Sequence, residues 1–160
     1  MKSITITSNL DVYESFEDIP ADIKELMEAA IEVRDKAYAP YSKFHVGAAI
    51  LLDNNEVITG SNQENASYPS GLCAERTAIY YAGAKYPDAI IKTLVITAKS
   101  LMHSMITPVP PCGACRQAIA EYEVKQDKPI EIYFMGSSGK VVRSESLKNL
   151  LPLAFDNSFL

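Results

Sequence analysis

Every cysteine of the chain falls in two short stretches, Cys73-Ala74-Glu75 and Pro111-Cys112-Gly113-Ala114-Cys115, and the first carries a carboxylate beside its thiol. Three thiolates can hold a zinc ion and leave the fourth tetrahedral position open, which separates a catalytic zinc from a closed structural one. Glu75 would then carry a proton beside a metal-activated water. The chemistry these residue types can do together is metal-assisted hydrolysis.

Such a site has an electrostatic problem. Three thiolates leave a zinc centre with one net negative charge, a poorer Lewis acid than zinc held by neutral histidines. A helix N-terminus supplies unpaired N–H groups and partial positive charge, and it favours thiolate over thiol. Arg76, three residues after Cys73, can donate to a thiolate sulfur from the first helical turn; Arg116, next to Cys115, is worse placed. Residues two apart in a helix point about 200° away from each other. Cys73 and Glu75 therefore converge only if Cys73 sits at the very start of its helix.

Blander readings compete with this one. Cys-Ala-Glu alone says almost nothing, and Cys-x-x-Cys alone is a structural half-site or a thiol redox pair. All three cysteines, one Glu and a Pro directly before the second pair favour the catalytic site. His45 and His103, the only histidines, read as ordinary polar residues.

The elements that must position these residues alternate along the chain. Apolar residues at Ile23, Leu26, Met27, Ala30 and Ile31 have helical spacing, and that helix should end before Pro40. Residues 46–52 and 57–60 flank Asp53-Asn54-Asn55 and read as a β-hairpin. A polar loop, 61–69, leads into Cys73, and a helix is expected over 73 to about 84. Ile90 to Ile96 suggests a buried strand. Residues 99–111, with three prolines, suggest an irregular loop before a helix from Cys112 to about Tyr122. Strands at 130–134 and 140–143 and a short helical stretch at Leu147–Leu151 complete the pattern. The expectation is a three-layer α-β-α domain, an α/β fold with a mixed sheet of about five strands.

With 160 residues and 48 % apolar content, one domain over 19–160 is expected. Residues 1–18 form an N-terminal extension that reads equally as a flexible arm or an added edge strand. No basic segment followed by an apolar run opens the chain, and no stretch approaches the roughly 20 apolar residues of a membrane span. The three cysteines cannot all pair within one chain. A soluble, cytoplasmic protein without membrane contact is expected. The net charge of −5 argues against binding a phosphate backbone and leaves a small neutral substrate open.

A His-x-Glu or Cys-x-Glu followed by Pro-Cys-x-x-Cys is the signature of zinc deaminases, with the Glu as acid and base. From about Ala21 through Phe155 the chain closely resembles the small homotetrameric cytidine deaminases. The match rests on four blocks in order: Tyr41-Ser42-x-Phe44-x-Val46-Gly47-Ala48-Ala49, Asn62-x-Glu64-Asn65-Ala66-Ser67-Tyr68, Cys73-Ala74-Glu75-Arg76-Thr77-Ala78 and Pro111-Cys112-Gly113-Ala114-Cys115-Arg116-Gln117. The resemblance implies that Cys73, Cys112 and Cys115 bind one zinc per chain and that Glu75 carries the proton to ring N3. By the same resemblance Phe44 faces the pyrimidine ring, Asn62 and Glu64 take the ribose hydroxyl, and the Ala74 backbone N–H takes the base carbonyl. Tyr68 and Phe155 match positions that complete a neighbouring subunit's site in a homotetramer. The implied reaction converts cytidine and deoxycytidine to uridine and deoxyuridine with release of ammonia, in pyrimidine salvage.

Three departures stand out. Gln63 replaces a usual apolar residue, residues 99–111 are long and proline-rich, and residues 1–18 have no counterpart. Two rival functions remain: deamination of another aminopyrimidine nucleoside such as blasticidin, and a noncatalytic zinc-stabilised interaction module. The absence of a basic stripe interleaved with aromatics disfavours nucleic acid as substrate.

Overall fold

The computed structural model describes residues 1–160. In chain order the elements are β1 (Asp11–Tyr13), α1 (Ala21–Arg34), β2 (Phe44–Leu52), β3 (Val57–Ser61), α2 (Ala74–Lys85), β4 (Ile91–Ser100), α3 (Gly113–Gln126), β5 (Glu131–Met135) and β6 (Val141–Ser144). The helical spacing in α1 buries Ile23, Leu26, Met27 and Ala30 on one stripe. That stripe packs on Ala49, Val95, Tyr133 and Met135, which face one side of the sheet. Gly47 lets the helix lie this close: a Cβ there would run into the Ala30 carbonyl and the Arg34 backbone.

The other side of the sheet is covered by α2 and α3. Ala48, Ile50, Ile96, Ile132 and Phe134 meet Ala78, Ile79 and Ile119 there in the larger core cluster. Strand alternation explains the division, since residues of one parity face α1 and those of the other face α2 and α3. The β2–β3 hairpin turns through Asn55 at φ 66°. β4 and β5 run parallel, joined by the proline-rich loop and α3 as a crossover, as parallel neighbours require. The result is three layers around a mixed sheet.

The sheet has six strands, in the order β1-β6-β5-β4-β2-β3, one more than the roughly five expected. The extra strand is β1, paired antiparallel with β6 through Asp11–Arg143 to Tyr13–Val141. Charge holds this edge: Arg143 donates to Asp11 Oδ2 at 2.7 Å and also pairs with Glu131. The alternating residues Ile4 and Ile6 stay outside the sheet and are exposed. Two boundaries also move. β4 runs on to Ser100, so the loop starts at Leu101, and α3 continues to Gln126. No helix is long and apolar enough to cross a membrane.

Candidate active site

Cys73 and Cys112 occupy the N-cap positions of α2 and α3, with extended backbones (ψ 156° and 167°) immediately before the first helical turn. This is where the chain is still turning, so Cys73 and Glu75 can face one point despite their separation of two. Cys115 reaches back from the first turn of α3 and is fully buried. The Sγ atoms of Cys73 and Cys112 lie 3.8 Å apart, and those of Cys112 and Cys115 lie 3.5 Å apart. All three sulfurs fall within 4.8 Å of one another. Ligands about 2.3 Å from a tetrahedral zinc stand about 3.8 Å from each other. Donor type and spacing both fit zinc.

The groups around Cys73 favour its thiolate. Hydrogen bonds from Cys115, Arg76 and Cys112 hold the Cys73 thiol down to about 5, against the opposing effect of burial. Cys115 moves the other way, because it donates to Cys73 and is buried. Arg76 Nη2 stands 3.8 Å from Cys73 Sγ, and that contact raises the guanidinium pKa. Glu75 is 5 % exposed. Burial pushes its carboxyl up to about 7 against a downward pull from its own backbone N–H, with a smaller upward push from the Cys73 charge. A carboxyl in that range can both accept and return a proton near neutral pH.

Cys73, Glu75, Arg76 and Cys112 line a cleft of about 690 Å³. Phe44, at the start of β2, and Asn62 and Glu64, just after β3, line the same cleft. Asn62 is fixed by β2, accepting from Val46 N–H at 2.8 Å and donating to the Phe44 carbonyl at 2.9 Å. Glu64 Oε2 accepts from the backbone N–H groups of Tyr41 and Ser42 at 2.9 and 3.3 Å. Burial would raise its pKa, but these bonds and one from the Ser42 hydroxyl outweigh that effect and lower it.

The remaining assigned residues are less uniform in their placement. Ala74 is fully buried as the first residue of α2, where a backbone N–H lacks an intrahelical acceptor. Tyr68 sits on the cleft rim, 77 % exposed, with its ring 6.1 Å from that of Tyr41. Phe155 does not line this cleft; it is 60 % exposed and stacks on Phe159 at 5.7 Å. Arg116 turns away from the sulfurs and donates to the carbonyls of Pro111 and Leu150 at 2.8 and 3.0 Å.

Sequence reasoning had given no role to Tyr41 and Ser42, whose backbone holds Glu64, nor to Val109 and Pro110, which wall the cleft beside Cys112. The first pair stood inside a matched block, and the second inside a loop whose length alone marked it.

Residues 20–127 match the family model described as the cytidine and deoxycytidylate deaminase zinc-binding region. The chain belongs to this deaminase family. The cytidine deaminase of Halalkalibacterium halodurans is 39 % identical over 134 residues, covering 84 % of this chain and 94 % of that protein. A blasticidin-S deaminase from Bacillus cereus is 32 % identical over 82 % of this chain and 90 % of its own length. The crystal structure of cytidine deaminase from Burkholderia pseudomallei superposes with a TM-score of 0.71 at 38 % identity, over 82 % of this chain and 97 % of that one. The deaminase region spans every site residue named above except Phe155.

Proposed function

We propose that the chain is a hydrolytic cytidine deaminase that converts cytidine and deoxycytidine, with water, to uridine and deoxyuridine and ammonia. The observation that carries this reading is a buried carboxyl, Glu75, beside three convergent thiols, at a cleft that the Phe44 ring and the Glu64 carboxylate also line. Zinc held by Cys73, Cys112 and Cys115 would supply Lewis-acid activation of water. Glu75 accepts the proton that the attacking water releases and delivers it to ring N3 as C4 becomes tetrahedral. It then helps the amine leave as ammonia. Arg76 and the first turns of α2 and α3 draw off the excess negative charge of the thiolates. Phe44 packs against the pyrimidine, the Ala74 N–H holds the base carbonyl, and Asn62 and Glu64 orient the ribose. A carboxylate at the sugar also repels phosphate, which favours a nucleoside over a nucleotide.

The same reading extends to one zinc per chain, a single deaminase domain over 19–160 preceded by the extension 1–18, and a cytoplasmic role in pyrimidine salvage. It also includes a homotetramer in which Tyr68 and Phe155 complete a neighbour's site. Their exposure in the single chain supports that last step. The test is turnover of cytidine followed by ultraviolet absorbance, with zinc content measured in parallel. Glu75→Gln should keep one zinc per chain and lose at least roughly 10²-fold in rate. Conversion that survives in the variant would remove Glu75 from the mechanism.

The match to a blasticidin-S deaminase favours one second reading, the same chemistry on a different aminopyrimidine nucleoside. Glu64→Gln separates the two. A large loss with cytidine supports the ribose contact, and an unchanged rate supports the other substrate.

A further inference from the structure

The loop between β4 and α3 is tied down at its middle. The Met105 carbonyl accepts from both the backbone N–H and the hydroxyl of Ser137, each at 2.7 Å. Gly136 makes room for this approach, since a Cβ there would stand 2.9 Å from the Thr107 carbonyl and closer still to that of Met105. Ile106 lies against Gly139, which turns the β5–β6 connection at φ 89°. Beyond this latch runs Thr107-Pro108-Val109-Pro110-Pro111. Three prolines fix their own φ near −65° and hold the residues before them extended, so the segment acts as a short stiff strut. Within it, Val109 and Pro110 wall the cleft that Cys112 also lines.

We propose that Ser137 is a positioning residue which, through Met105 and the proline strut, sets the Val109–Pro110 wall and so limits the size of the substituent accepted at C5 of the base. The inference rests on the cytidine reading above. The reacting carbon must approach Glu75 and the cysteines. Of the ring positions flanking it, N3 is committed to the proton from Glu75, and C5 is the flank that can carry a substituent. A wall beside Cys112 meets that flank.

The experiment compares kcat/KM for 5-methylcytidine and cytidine in the native protein, Val109→Ala, Ser137→Ala and Ser137→Thr, with limited proteolysis of residues 101–110 in each. Loss of one hydrogen bond shifts a local equilibrium roughly fivefold. Ser137→Ala should therefore raise the 5-methylcytidine-to-cytidine ratio by about that factor and leave cytidine kcat within twofold. It should also speed cleavage in the loop. Ser137→Thr, which keeps the hydroxyl, should restore both readouts, and Val109→Ala should raise the ratio without speeding cleavage. An unchanged ratio in Val109→Ala overturns the wall. A changed ratio there with unchanged ratio and cleavage in Ser137→Ala overturns the latch. Absence of cytidine turnover in the native protein removes the functional reading itself, and with it the role assigned to Ser137.

Discussion

At the scale of single residues, Glu64 shows how a surface carboxylate becomes part of a built site. Two backbone N–H groups from Tyr41 and Ser42 converge on one of its oxygens, and the residue lines the cleft. Its folded pKa lies below the ordinary value. Stability from these bonds is therefore fully present above the ordinary carboxylate range and is lost as pH falls through the lowered folded value. Glu64→Gln removes a charged acceptor. Its deficit in Tm against the native protein should be largest at pH 7 and should shrink at pH 3, as paired melting curves can check. Glu75 is the opposite case, a carboxyl raised by burial. The sequence placed it next to a thiol, but only the closing of α2 onto the sheet supplies the desolvation.

At the scale of elements, most boundaries follow from periodicity, and α1 is the clearest example. Its stripe is legible because four of its apolar positions, Ile23, Leu26, Met27 and Ala30, repeat with the helical period. Gly47, by contrast, looked like part of a run of small residues, and its role depends on which helix lies above it. Gly47→Val would drive a branched side chain into the Ala30 carbonyl and the Arg34 backbone. The expected cost is about 3 kcal/mol, or roughly 6–12 °C in Tm for a domain of this size; an unchanged Tm would mean that α1 packs elsewhere. β1 was the least legible element. Its three residues pair with β6 about 130 positions away, and no local pattern marks so short a strand. The loop latch at Ser137 was hidden for the same reason.

At the scale of the whole molecule, the three sulfurs join two helices whose first cysteines are 39 residues apart. A metal that binds only the folded arrangement stabilises it by mass action, about 4 kcal/mol when present at a thousand times its dissociation constant. Removing zinc with a chelator should therefore lower Tm by roughly 8–16 °C, and adding zinc back should restore it. A Tm indifferent to chelation would show that the cluster holds no ion that matters to the fold. The three-layer architecture was foreseeable from alternating helices and strands.

The sequence by itself determined the three thiol donors, the carboxyl two residues after the first of them and the order of helices and strands. These depend on residue type and short spacing, which the covalent chain sets directly. Tertiary structure alone decided the sixth strand, the backbone grip on Glu64, the near-neutral pKa of Glu75 and the wall at Val109 and Pro110. Each arises where segments far apart in sequence meet and exclude water, and desolvation and contact belong to that meeting rather than to either segment.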